Sequence, residues 1–249
     1  THFSVLIDTV INSILAIFNS VLKSTPRFTA NQGSITENQA LKNLQGRVRM
    51  VLSYFFAQLC LWTAGRPGWL LVLGSKNSNE RSIGHFAKYD CSSGDVNPIG
   101  GLSRINLHLF LSYCAQTFNL MTVRRICDTT PNSELVPLSH GETKESEMGM
   151  SFEDLTTYSK LRMEQHCGPF SMFCKLLSQW STRHKPNEVA EKVKFFFRTI
   201  SSHRHKFSAT SMACCIEQEN TDDIRPVLGC PQWTWQFNYI DEKVKKLVL

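Results

Sequence analysis

The sequence predicts an α/β protein with a parallel sheet, and three observations carry that expectation. A short apolar run over residues 3–7 passes straight into residues with helical spacing, a second and longer helix follows, and residues 69–73 then form a continuous apolar run bounded by glycines. The order strand, helix, helix, strand is that of parallel strands joined by crossovers. An apolar run without alternation marks a strand covered on both faces.

Taken in order, Asp8 stands where an N-cap belongs, ahead of Val10, Ile11, Ile14, Leu15, Ile17, Phe18, Val21 and Leu22 at helical spacing. Residues 23–33 are polar and read as a loop. Ser34 with Glu37 three residues on makes a capping box for a helix running to about Trp62, with Leu41, Leu44, Val48, Val51, Leu52, Phe55 and Leu59 as its apolar stripe. Gly65 and Pro67 stop it. Beyond the second strand, residues 74–101 are rich in Ser, Asn, Gly and charge, and loops after parallel strands are where such folds hold ligands. Ser103 caps a further helix through Leu107, Leu111, Cys114 and Phe118. A polar stretch over 126–150 is expected to be flexible and divides a sheet part, 1–125, from a mainly helical part, 151–249. In the latter, Ser151 with Asp154 resembles a capping box, and Pro169 and Pro186 occupy first-turn positions where proline is permitted.

Charge and cysteine usage narrow the class. With 42% hydrophobic and 19% charged residues, the 249-residue chain can bury a substantial core, which excludes a disordered tail or a coiled coil. Twenty-seven Lys and Arg against 21 Asp and Glu give +6, an excess suited to phosphates and too diffuse for a dedicated nucleic-acid binder. The run 10–22 is broken by Asn12, Ser13, Asn19 and Ser20 and is shorter than the roughly 20 residues a bilayer span needs, so no membrane segment is expected. Nine cysteines without a C-x-x-C pair point to reduced thiols and a cytoplasmic setting. No Walker loop, G-x-G-x-x-G, nucleophile elbow or zinc spacing occurs, and Cys174, Cys214 and Cys215 have no evident base.

Four constellations can carry chemistry. Arg47 lies four residues from Asn43 on one helix face, either a solvated face or a guanidinium aimed at an anion. Glu80 follows the second strand, either solvated or set to take a magnesium ion that also holds substrate phosphates. Lys88, Asp90, Asp95 and Arg104 share a glycine- and serine-rich stretch in which backbone can close around a ligand. The run His203, Arg204, His205, Lys206 follows a helix, where charge compensation at the helix end is the plainer reading.

These strings resemble one family. Residues 43–50 (NLQGRVRM), 71–80 (LVLGSKNSNE) and 88–101 (KYDCSSGDVNPIGG), followed by 147–152 (EMGMSF), 168–177 (GPFSMFCKLL) and 203–206 (HRHK), are similar in order and spacing to the synthetase domain of glutamine-dependent NAD synthetases. The resemblance implies a Rossmann-like sheet flanked by helices, of the adenine nucleotide alpha-hydrolase or ATP pyrophosphatase type. It also implies a ligase that adenylates the nicotinate carboxylate of deamido-NAD from MgATP and lets ammonia displace AMP. ATP and Mg2+ are the implied companions, with ammonia drawn from glutamine by an upstream domain.

Residue by residue, the resemblance gives Arg47, Lys88, Asp95, His205 and Lys206 to deamido-NAD, Ser75, Arg104 and Asn132 to ATP, and Glu80 to the metal. Arg104 stands where lysine is usual, Asn132 where threonine is usual, and Gly46 where alanine is usual, the last at up to about 1 kcal/mol of helix propensity. The Ser-Gly-Gly-x-Asp-Ser pyrophosphate loop and the first sheet strand precede the point where the sequence opens at Thr1. The chain is therefore expected to be a C-terminal portion that makes no NAD by itself, in an assembly of at least two copies. The alternative is an inactive, divergent paralogue that binds the dinucleotide weakly or serves as an oligomer partner. A different ATP pyrophosphatase, such as a GMP synthetase, fits the strings around Lys88 and His205 less well.

Overall fold

The computed structural model describes residues 2–129, 144–213 and 232–248. Helix α1 (Asp8–Leu22) starts one residue earlier than expected: Ile7 is its N-cap, and Asp8 sits in the first turn without a side-chain cap bond. Helix α2 (Ile35–Thr63) opens on the capping box as read. The Glu37 amide donates to Ser34 Oγ at 3.2 Å and the Ser34 amide to Glu37 Oε2 at 2.6 Å. The Ser34 amide, then the Ser34 hydroxyl and the Arg27 amide, hold the Glu37 carboxyl below its ordinary pKa. Helix α3 (Ser78–Ser82) follows, capped by Asn77, whose side chain accepts from the Glu80 amide at 3.0 Å.

Strand β1 (Val96–Asn97), α4 (Arg104–Thr117) and α5 (Met121–Asp128) come next, α4 capped by Ser103 as expected. Helix α6 (Lys144–Met148) lies inside the stretch expected to be flexible. Helix α7 (Phe152–Ser159), capped by Ser151, runs into a π-helical turn at Lys160–Glu164. Helices α8 (Pro169–Gln179) and α9 (Pro186–His203) begin on their prolines. A 3₁₀ turn (Arg204–Ala209), strand β2 (Met212–Ala213) and α10 (Thr234–Val248) complete the order.

Two strand expectations are corrected. Residues 3–7 form no strand, since an apolar run becomes one only when a neighbour completes its ladder. Phe3 instead stacks on Phe56 at 6.4 Å. The run 69–73 is not covered on both faces: Trp69 is 73% and Leu71 64% exposed, and only Val72 is buried. Its parallel character does hold, because Leu73 bridges Val96 in parallel and Val96 pairs in parallel with Met212. Among the described residues the sheet thus shows a parallel core of three short segments.

The main core lies in the C-terminal helices, where Leu155, Tyr158, Met172, Phe173, Val193 and Phe196 are wholly buried. Each such side chain contributes about 1.5–3 kcal/mol. Lys194, buried on α9, bridges to Asp241 on α10 and to Glu191 at 3.1 Å. Six cysteines, Cys60, Cys91, Cys114, Cys127, Cys167 and Cys174, are free thiols, while Cys214, Cys215 and Cys230 lie outside the described residues. Among the described residues no helix is long and apolar enough to cross a membrane.

Candidate functional site

A cleft of about 730 Å³ opens between α2, the loop that carries α3, the start of α4, α6 and the 3₁₀ turn. On α2, Asn43, Gly46 and Arg47 face it together. Gly46 is buried there because Asp90 passes close behind: a Cβ at Gly46 would stand 3.1 Å from Asp90 Cβ. Asp90 in turn shapes the Lys88 loop, accepting the Ala87 amide at 3.1 Å and the Ser92 amide at 2.8 Å. Arg47 Nε donates to the Lys88 carbonyl at 3.0 Å, so the two sequence-predicted cations are neighbours on one rim.

The opposite rim is the turn that carries His205 and Lys206. It docks on the segment after α3 through His203, whose Nδ1 lies 2.9 Å from the Ile83 carbonyl, and through Lys206 Nζ, which donates to the Gly84 carbonyl at 3.3 Å. Gly84 has a φ of +67°, and a Cβ there would meet His203 Cβ at 2.8 Å, so glycine is required twice over. Phe86 and Phe207 pack edge to face at 6.0 Å beneath the turn. Burial lowers the pKa of both His203 and Lys206; Lys206 adds to the effect on His203, while Asp90 opposes it on Lys206.

Of the residues singled out from sequence, Arg47, Ser75, Glu80, Lys88, Arg104, His205 and Lys206 line this one cleft. Glu80 is 3% exposed, held on the first turn of α3. Arg104 opens α4, its amide donating to Asn79 Oδ1 at 2.6 Å. Asp95 is placed elsewhere. Its carboxylate accepts from the Val72 amide at 2.8 Å and the Tyr54 hydroxyl at 3.2 Å, so it ties the 69–73 segment to α2 and does not line the cleft. Asn132 lies outside the described residues.

The sequence reading missed Lys42, Arg49, Lys76, His85 and Glu147, which also face the cleft. Lys42 Nζ bonds Glu147 Oε1 at 2.9 Å, joining α2 to α6. The EMGMSF string already contained Glu147, but nothing in it pointed to Lys42. Seven Lys and Arg side chains thus surround three carboxylates, Glu80, Asp90 and Glu147, with Asp90 accepting two amides and Glu147 bonded to Lys42. Such a hollow suits a ligand with several anionic oxygens.

A family model described as NAD synthase matches residues 6–206. The chain belongs to the NAD synthase family. Among similar proteins, the glutamine-dependent NAD(+) synthetase of Drosophila melanogaster is 45% identical over 99% of this chain and 32% of its own length. Those of Homo sapiens, 44% identical, and Arabidopsis thaliana, 40% identical, also align over 99% of this chain and over 36% and 35% of their own lengths. This NAD synthase-family chain spans about a third of the length of the curated relatives it matches. In structure it is similar to a glutamine-dependent NAD(+) synthetase from Cytophaga hutchinsonii, with a TM-score of 0.69 at 17% identity over 97% of this chain and 36% of that one. An NMN synthetase from Francisella tularensis gives 0.50 at 18% identity over 86% and 65%. The fold is therefore that of the adenine nucleotide alpha-hydrolase class, α/β with flanking helices.

Proposed function

We propose that this chain is the synthetase portion of a glutamine-dependent NAD synthetase, amidating deamido-NAD at the expense of ATP. One observation carries the reading: a single cationic cleft holds Arg47, Lys88, His205 and Lys206 together with Ser75, Glu80 and Arg104. A carboxylate is a poor electrophile until one of its oxygens is made a leaving group. In the proposed reaction the nicotinate carboxylate attacks the α-phosphorus of ATP and pyrophosphate departs; ammonia then attacks the acyl carbon and AMP leaves with its bonding electrons. Arg47 and Lys88 on one rim and His205 and Lys206 on the other hold the dinucleotide, and Ser75 and Arg104 receive the nucleotide triphosphate. Asp95 supports the site from behind by fixing residue 72 against Tyr54.

Magnesium commonly binds through one or two carboxylates and substrate phosphates, and buried Glu80 on the cleft wall fits that donor set. Among the described residues no group of three or more His, Cys, Asp or Glu is arranged to hold a metal. When bound, the ion would neutralise charge on the departing pyrophosphate. Ammonia from glutamine, a cytoplasmic setting and association of two or more copies complete the reading. The last is supported by the apolar residues that α1, α2 and α4 present to solvent, among them Ile17, Phe55 and Leu109.

The test is calorimetric titration of the purified chain with deamido-NAD, beside Arg47→Ala and Lys88→Ala. Each loses a charge-assisted contact, so each is expected to weaken binding about tenfold or more. Identical isotherms for all three proteins would overturn the assignment.

A further inference from the structure

Resting on the reading just given, we propose that Lys76 is a further substrate-binding residue, whose ammonium grips the terminal phosphates of ATP and the pyrophosphate they become. Lys76 lies between Ser75 and Asn77 and lines the same cleft as Glu80. Its backbone is held from below. The Gly74 amide donates to the Val96 carbonyl at 2.8 Å, Asn97 Nδ2 to the Lys76 carbonyl at 2.7 Å, and the Ser78 amide to the Leu102 carbonyl at 2.9 Å. Asn97 itself is 3% exposed, and a Cβ at Gly74 would stand 3.1 Å from Asn97 Cβ, so this anchor tolerates no slack. A backbone already fixed leaves only the side chain to be ordered when the ammonium engages a ligand.

The ammonium itself is uncommitted. Among the described residues no carboxylate pairs with Lys76, whereas Lys42 is taken by Glu147, Arg47 by the Lys88 carbonyl and Lys206 by the Gly84 carbonyl. The Lys76 side chain is half-buried and lines the hollow, so its charge stands over the cleft and not out in solvent. Glu80 lines the same hollow. A carboxylate and an ammonium facing one space divide a polyphosphate naturally: the carboxylate takes the side carrying the metal, and the ammonium takes bare oxygens through its three donors.

The competing ligand of the same chemistry is the internal pyrophosphate of the dinucleotide, and the experiment separates the two. The full chain, Lys76→Met and Lys76→Arg are each titrated with inorganic pyrophosphate in magnesium chloride, and separately with deamido-NAD. Lys76→Met is expected to weaken pyrophosphate about tenfold, Lys76→Arg less, with deamido-NAD unchanged within about twofold for both. Pyrophosphate binding that is undetectable in the unsubstituted chain, or unchanged by Lys76→Met, overturns the proposal, as does equal weakening of both ligands. Failure of the broader reading looks different: deamido-NAD binds nowhere, or binds without regard to Arg47 and Lys88.

Discussion

His85 Nε2 lies 3.9 Å from a Glu147 oxygen, an arrangement that ordinarily favours imidazolium, yet desolvation outweighs that carboxylate. Glu80 also favours the charged form, Lys76 and His203 oppose it, and the pKa falls from 6.5 to about 4. The folded state therefore binds its proton at lower pH than the unfolded chain does. Stability is intact above the unfolded pKa and is lost as pH falls from 6.5 toward about 4. His203, lowered mainly by burial, works in the same sense. Urea midpoints measured from about pH 7 down to about pH 5 are expected to fall, and His85→Asn to remove part of the slope, leaving that of His203. A slope unchanged by the substitution would refute the account. At this scale the sequence marked residues through strings: Glu80, Lys88 and the His205–Lys206 pair stand in runs whose order is distinctive. His85 carried no such mark, because a histidine in a polar stretch does not announce its burial. Gly46 was read as a loss of helix propensity, and only the approach of Asp90 shows why a small residue sits there.

Between elements, the decisive contacts join residues far apart in the chain. Lys42 is 7% exposed and Glu147 22%, and their bond holds α6 against α2 at the cleft wall across 105 residues of sequence. Removing one member leaves a mostly buried charge without this partner, so Lys42→Met is expected to destabilise the chain by on the order of 3 kcal/mol. Adding Glu147→Gln should recover part of that, because the residual charge is then gone. Equilibrium denaturation of the two single variants and the double variant checks it, and strict additivity would show that the pair is not coupled. The helices were legible because their signals are local: Ser34 with Glu37, Ser103, Ser151 and the two first-turn prolines each act within one turn. Strands were not, since pairing is supplied by distant segments. Residues 69–73 show apolar character without showing how much of it will be covered.

Over the whole molecule, burial is unevenly shared. The α7 to α10 region contains Leu155, Met172, Phe173, Val193 and Ile240, all at zero exposure, whereas no residue of α1 is buried. Ile17 at 64%, Trp62 at 71% and Phe110 at 56% lie on the other side of that divide. An isolated helix of α1's length is marginal in water, so its order depends on what its apolar residues touch. In native-state hydrogen exchange, amides of α8 and α9 are expected to report the global opening energy, and those of α1 to exchange through local opening at least about a hundredfold faster. If a second copy covers the apolar residues of α1, α2 and α4, their protection should rise with protein concentration while that of α8 and α9 changes far less. The cleft is built where these two regimes meet: α2 supplies one rim and the turn after α9 supplies the other. Covering the apolar side would therefore also steady Arg47 and Lys88 against His205 and Lys206, and the affinity for deamido-NAD should increase over the same concentration range. Protection and affinity that both stay flat across that range would show that the exposed side has no part in ordering the site.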